Sequence, residues 1–239
     1  MPIVTIIGRG HSGTRAMSHT LYTSGVFMGR TINTSGDKVP PGDLYDACRI
    51  FARYVRWEGG LSWDFSRVME MDIDPSFVEK VESYLADVME NGNPCRGWKL
   101  PETTLIYPWI VRMFPDIRYI HWIRDPRDGI LAPHRTDDLG DFGIAYPATE
   151  DIRRQRAISW LYQYLLMKAT PNPGHLITVR FEDFVLKQEE TLLRLEAFLG
   201  IPLSRIVVRP EAVGRWKKAG GDLQLDLLGE ALKELGYGD

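Results

Sequence analysis

Residues 3–21, IVTIIGRGHSGTRAMSHTL, carry the pattern that most narrows what this chain can become. A short β-branched run, PIVTII at 2–7, reads as a buried strand ended by glycine. Gly8, Gly10 and Gly13 punctuate the turn that follows, and a helix is expected from about Thr14 to Thr23, stopping near Gly25. Glycines let the backbone turn tightly and aim N–H groups at an anion, and the helix behind them adds its N-terminal partial positive charge. A phosphate-binding loop begins in this way. The nucleotide version is G-x-x-x-x-G-K-[ST]. Here the Gly8…Gly13 frame is present, but Thr14 stands in the lysine position and Arg15 in that of the magnesium-binding hydroxyl. Ser12 and Thr14 offer hydroxyls, and Arg9, Arg15 and His11 offer positive charge. The loop suits a phosphate-like group without the usual metal ligand; a plain strand-to-helix turn is the competing explanation.

Beyond the loop, strands and helices alternate. An amphipathic helix opens at Asp74-Pro75-Ser76, puts Phe77, Val81, Leu85 and Val88 on one face, and ends at NGNP, 91–94. CRGWKL (95–100) predicts a short strand stopped by Pro101, followed by a helix over 103–114. IRYIHWI (117–123) and HLITVRF (175–181) predict buried strands; helices are expected over 150–169, 189–200 and 222–235. Residues 29–63 are turn-rich, and 133–149 read as a mobile loop with acidic and aromatic residues. This order predicts an α/β fold, a single domain over 1–239 with a mostly parallel sheet flanked by helices. In such sheets the ligand lies beyond the carboxyl ends of the strands, where GRGHSGTR sits.

Composition excludes more than it selects. The 239 residues are 44% hydrophobic and 26% charged, ordinary for one well-buried core. A net charge of −3 argues against broad nucleic-acid or membrane-surface binding. Arginines nevertheless gather at Arg112, Arg118, Arg124, Arg127 and Arg135, as a local anion site would require; Arg153, Arg154 and Arg156 fit either such a site or a solvated face. Cys48 and Cys95 are too few for a disulfide framework or a cysteine-rich zinc site and suit a reducing compartment. The sequence shows no leader and no run of about 18 apolar residues. A soluble, cytoplasmic protein is the expectation.

Three further motifs carry chemistry. In IHWIRDPRDGI (120–130) a buried strand delivers Arg124 to its carboxyl end, where a guanidinium can fork onto a phosphate, or anchor the turn through Asp125 or Asp128. TVRFEDFVLKQEETLLRLEAFLGIP (178–202) reads as strand, turn and amphipathic helix. Glu182 and Asp183 there offer catalytic carboxylates, or cap the helix and tie the loop down, and Phe181 can stack on a base. VGRWKKAGG (213–221) sets Arg215, Trp216 and Lys217 between glycines, suited to closing over an anion and a flat ring, or to a surface turn. His121, inside its strand, reads as a core histidine.

Taken in this order, the four motifs resemble the sulfotransferases that use 3′-phosphoadenosine-5′-phosphosulfate (PAPS), and GRGHSGTR is most similar to the loops of the bacterial and carbohydrate branches. RDPRD (124–128) resembles the family's R-[ND]-P-[RK]-D, VRFEDFV…LLRLEAFLGIP its Y-E-D-L…L-x-x-F-L-G segment, GRWKK its G-x-W-[KR] element, and GWKLPETT (97–104) its G-W-K-x-P segment. The resemblance implies a P-loop NTPase-like sulfotransferase fold and transfer of a sulfuryl group from PAPS, leaving PAP. The acceptor is a hydroxyl of a carbohydrate, lipid or small molecule. No metal, nucleic-acid partner or membrane span is expected, and oligomeric state is not implied. It also accounts for the altered loop, since this donor needs neither the lysine nor the metal hydroxyl.

By the same resemblance, Arg9, Gly10, His11, Ser12, Gly13, Thr14 and Arg15 hold the 5′-phosphosulfate. Arg124, Arg215 and Lys217 hold the 3′-phosphate, and Trp216 or Phe181 packs near adenine. Two departures stand out: Ala132 replaces a common serine eight residues after the arginine, and Lys99 stands where many members carry a histidine base. His11, Lys99 and Glu102 are the catalytic candidates, with Glu58 and Asp64 further acceptor-facing carboxylates. The acceptor walls are expected in 29–65 and 133–149. An ATP-dependent P-loop kinase and a non-catalytic PAP-binding protein are the alternatives.

Overall fold

The computed structural model describes residues 3–238. β1 (Ile3–Ile7) leads through the glycine loop into α1 (Thr14–Thr23). Then come α2 (Gly42–Ala52), a hairpin of β2 (Arg56–Gly59) and β3 (Ser62–Asp64), α3 (Ser66–Glu70), α4 (Pro75–Met89) and β4 (Arg96–Lys99). α5 (Tyr107–Met113), β5 (Arg118–Ile123), the single turn α6 (Pro126–Gly129), α7 (Ile152–Ala169) and β6 (Leu176–Arg180) follow. The chain finishes with α8 (Phe181–Leu186), α9 (Gln188–Leu199) and α10 (Leu225–Glu234).

The main sheet runs β4-β1-β5-β6, every pair parallel. β1 and β5 occupy the centre, and β-strand alternation splits their side chains between two cores. Val4, Ile6, Ile120 and Trp122 pack with Met17 and Leu21 of α1 and with Phe184, Leu192 and Leu195 of α8 and α9. Ile7 and Tyr119 face the larger cluster of α2, α4, α5, α7 and α10, where Phe51 and Phe77 meet Trp109 edge-on. The sheet is covered on both faces, as parallel sheets require. Among the described residues no helix is long and apolar enough to cross a membrane.

Two segments differ from the sequence expectation. The turn-rich stretch contains α2, whose Leu44, Ala47, Cys48 and Phe51 are buried at helical spacing. The helix expected over 103–114 is a 3₁₀ segment, Pro101–Ile106, that becomes α-helical only at Tyr107. Pro108 offers no N–H to the turn before it and fits the first turn of a new helix. Residues 133–149 do not form a free loop either: Thr136, Asp137, Leu139, Phe142 and Ile144 are buried, and two 3₁₀ turns organise them.

Candidate active site

β1 ends under the loop, and close contacts explain its glycines. The Gly8 N–H donates to Thr104 Oγ1 at 3.1 Å, and a Cβ on Gly8 would lie 2.6 Å from the Trp122 carbonyl oxygen. Gly13 has φ 91°, and a Cβ there would meet the Phe181 ring at 2.4 Å. His11 adopts φ 61° without being glycine, a backbone conformation that costs energy and is held by its surroundings. The Trp122 indole N–H donates to the Ser12 carbonyl at 2.9 Å, and Arg124 Nη1 donates to that of His11 at 3.2 Å. α1 has no side-chain cap and no acidic residue in its first turn. Its N-terminal dipole and N–H groups are therefore left without an anionic partner from the protein.

A cavity of about 550 Å³ opens at this helix end. Of the residues expected at the site, it collects Gly10, His11, Gly13, Thr14, Arg15, Lys99, Arg124, Phe181 and Arg215. The segment Ile206–Arg209 and Ala212 form another wall. Asp37 is the one carboxylate among its described lining residues, and His134 lines it as well.

The other expected residues, Arg9, Ser12, Glu58, Asp64, Glu102, Trp216 and Lys217, do not line it. Arg9 is 5% exposed and ion-paired with Asp137; its Nη1 also donates to the Gly10 and Gly129 carbonyls, each at 3.1 Å. Arg9 braces the loop from behind, and Ser12 Oγ donates to the Arg9 carbonyl in the same brace. Both line a small void of about 50 Å³, which His121 also borders, its pKa lowered to about 4 by burial. Glu102 is 2% exposed and outside the large cavity's lining; burial raises its pKa to about 7. Trp216 does not offer its ring to the cavity: the Arg127 guanidinium lies 3.7 Å from its centroid. Lys217 is exposed, with Nζ 5.6 Å from that ring centroid. Glu58 and Asp64 pair with Arg56 on the β2–β3 hairpin.

Arg124 and Arg127 are locked by crossed pairs. Arg127 pairs with Asp125, with Nη2 to Oδ2 at 2.8 Å, and Arg124 Nη2 donates to Asp128 Oδ2 at 2.9 Å. Asp128 is fully buried and also accepts the N–H groups of Gly214 at 3.0 Å and Trp216 at 2.8 Å. Arg124 donates to the Ala212 carbonyl as well, and its guanidinium carbon stands 4.4 Å over the Phe181 ring centroid. Burial lowers the Arg124 pKa, and Asp128 opposes that shift. Arg124 is thus tied down and yet borders the cavity. Glu182 ties the turn, accepting the Asp125 N–H at 3.0 Å and the Tyr237 hydroxyl at 2.8 Å.

Across the cavity, Lys99 at the end of β4 forms an ion pair with Asp37 and donates to the Ser35 carbonyl at 2.9 Å. Burial lowers the lysine's pKa, while Asp37 pulls it upward. Asp37 is delivered by a tight turn: Asn33 Oδ1 accepts the N–H groups of Ser35 at 2.8 Å and Asp37 at 3.0 Å, and Gly36 has φ 71°. The Lys38 N–H donates to the Lys99 carbonyl at 2.9 Å and pins the turn to β4. Sequence reasoning missed Asp37; its signal was N-x-x-x-D with an intervening glycine, an Asx-turn pattern. His11 is exposed as a residue, but desolvation lowers its pKa, with Arg9 and Arg215 adding to the shift. It is therefore neutral near pH 7 and able to accept a proton.

The second arginine group is neither a free anion site nor a bare solvated face. Arg153 donates to the Gly220 and Asp222 carbonyls, Arg154 to Gln224 and Asp226, and Arg156 pairs with Asp137. These side chains join α7 to the C-terminal segment and to the brace behind the loop.

The model of the "Sulfotransferase family" matches residues 2–205. A Caenorhabditis elegans protein named "Putative protein-tyrosine sulfotransferase" is 25% identical over 166 residues, 67% of this chain. The aligned part is 61% of that relative, so the chain spans less than two thirds of its length. The sulfotransferase domain of the Synechococcus PCC 7002 olefin synthase aligns over 100% of this chain and 95% of its own, with a TM-score of 0.55 and 14% identity. That likeness is one of fold.

Proposed function

The chain belongs to the sulfotransferase family, and from that premise we propose that it moves the sulfuryl group of PAPS to an acceptor hydroxyl. The observation that carries this is the uncapped N-terminus of α1, facing a 550 Å³ cavity bordered by Arg15, Lys99, Arg124 and Arg215. A helix end with no internal anion fits the 5′-phosphosulfate, and the arginines fit a second phosphate. Thr14 and the loop N–H groups hold the first. Arg124 and Arg215 hold the second, and Phe181 with Ile206–Val208 offers an apolar wall to adenine.

PAPS, when bound, supplies the activated sulfuryl group. Transfer to an acceptor oxygen would release PAP, and the protein's own part is to hold the donor through the α1 N-terminus and the arginines and to take up the acceptor proton. Charge spread over the transferring group makes positioning and fixed positive charge the main contributions. Lys99 offsets that charge as a cation, and neutral His11 can do so only by donating a ring N–H. Asp37 and His11 are the cavity groups equipped to take the proton. Glu102, 2% exposed and not lining the cavity, is the less accessible candidate.

Asp37 and His134 come from the two segments expected to wall the acceptor, 29–65 and 133–149. The acceptor class spans carbohydrate, lipid and small-molecule hydroxyls, and the curated relative adds protein tyrosine to the acceptors worth assaying. Cytoplasmic residence belongs to the same proposal and is checked by fractionation.

Calorimetric titration with PAP, and with ATP with and without magnesium, tests the assignment. Micromolar PAP binding indifferent to magnesium is expected. Arg124→Ala should weaken it about tenfold or more, since a charge-assisted hydrogen bond contributes about 1.5–3 kcal/mol. Magnesium-dependent ATP binding without PAP binding would return the loop to the kinases. PAP binding without transfer to any acceptor would make the protein a nucleotide-binding module.

A further inference from the structure

We infer that His134 is a neutral hydrogen-bond donor, its Nε2–H directed to the 5′-phosphate end of the bound donor; this rests on the PAPS assignment above. His134 lines the large cavity, and no motif singled it out. Its Nδ1 accepts the backbone N–H of Thr136 at 3.2 Å and lies 2.9 Å from Thr136 Oγ1. A backbone N–H can only donate, so Nδ1 carries a lone pair and the neutral ring carries its proton on Nε2. The backbone is held too: the His134 N–H donates to Asp137 Oδ2 at 2.7 Å, closing a capping box. Asp137 in turn pairs with Arg9 and Arg156, so the brace behind the loop also orients the histidine.

Among the described residues the remaining nitrogen has no hydrogen-bond partner, and the ring lies directly on the loop. A Cβ on Gly10 would fall 2.1 Å from the ring and 2.3 Å from Nε2, so only glycine admits this approach. The His11 ring meets it edge-on, with centroids 5.8 Å apart. Burial lowers the ring's pKa to about 3, and Arg9, His11 and Lys99 add to that shift; the nearby Asp137 carboxylate is taken up by the His134 backbone N–H, Arg9 and Arg156. The ring therefore remains a donor across the physiological range. It supplies direction without charge, and its contribution to donor binding does not change with pH.

The test combines PAP calorimetry at pH 6 and pH 8 with ¹⁵N NMR of the imidazoles. His134→Ala is expected to weaken PAP binding about tenfold, by the same factor at both pH values. His134→Gln keeps an N–H donor and should recover part of the loss. His134→Phe fills the ring's space without a donor and should remain weak. The wild-type ring should show the Nε2–H tautomer from pH 5 to pH 8, with Nε2 shifting on PAP addition. Rescue by Phe and not by Gln, an Nδ1–H tautomer, or titration within that range would overturn the inference. If wild-type protein binds no PAP, the PAPS assignment fails and the donor role with it. The NMR result then still reports whether the ring is the neutral Nε2–H form, so the two failures are told apart.

Discussion

Asp37 and His11 stand on different sides of the cavity and make different predictions about the acceptor's proton. Asp37 is held by Lys99 and by Asn33 Nδ2 at 3.1 Å, so its carboxylate is oriented before any substrate arrives. Asp37→Asn is expected to lower turnover by about 10²–10⁴ while PAP affinity changes little, as loss of a positioned base does. The measurement is PAP release from PAPS across a panel of carbohydrate, lipid and phenolic acceptors, beside PAP calorimetry. If His11→Ala shows that split and Asp37→Asn does not, His11 is the base. That Arg124 borders the cavity was legible because a strand must deliver its last side chain to the sheet's carboxyl edge. Arg9 was not placed correctly, because sequence spacing does not say which face of a loop a side chain takes. Asp137, 128 residues away, decides that.

Among the elements, the coupling of α6 to the C-terminal segment matters most for the site. Asp128 ties three things at once: Arg124, the Gly214 N–H and the Trp216 N–H. Asp128→Ala leaves Arg124 buried without its carboxylate and should destabilise the fold by about 3–5 kcal/mol. Limited proteolysis should then cut first within 210–220, and PAP binding should weaken; unchanged proteolysis and binding would refute the coupling. GRWKK was read as closing over the donor with its tryptophan. The element is indeed brought to the site, but Arg127 covers Trp216, and Arg215 reaches the cavity instead. The strands and α4 were readable because their apolar periodicity is local. α2 was obscured by PPGD at its start, a turn signal that in this context precedes a helix.

At the scale of the whole molecule, Glu102 links the site's surroundings to global stability. Its carboxyl is buried, with Oε2 lacking a hydrogen-bond partner among the described residues, and burial raises its pKa to about 7. Between about pH 4.5 and 7 the folded state holds this proton and the unfolded state releases it. The group's penalty is therefore absent at low pH and complete above pH 7. Glu102→Gln should raise the unfolding free energy above pH 7 by on the order of 2–3 kcal/mol and match wild type near pH 4, as read from denaturation at both pH values. An equal difference at both pH values would mean that packing, not charge, separates the two proteins.

The α/β class, the parallel strands, the glycine-rich loop between β1 and α1 and the arginine at the end of β5 were determined by the sequence alone. Each depends on periodicity, turn chemistry or short spacing, and such forces act between neighbours in the chain. The cavity's composition was decided only in three dimensions. Asp37 reaches it because the Lys38 N–H is bonded to β4, His134 because Gly10 leaves room for a ring, and Arg9 turns away because Asp137 neutralises it inside the core. These contacts join residues far apart in sequence, and burial sets their strength, so no local pattern announces them.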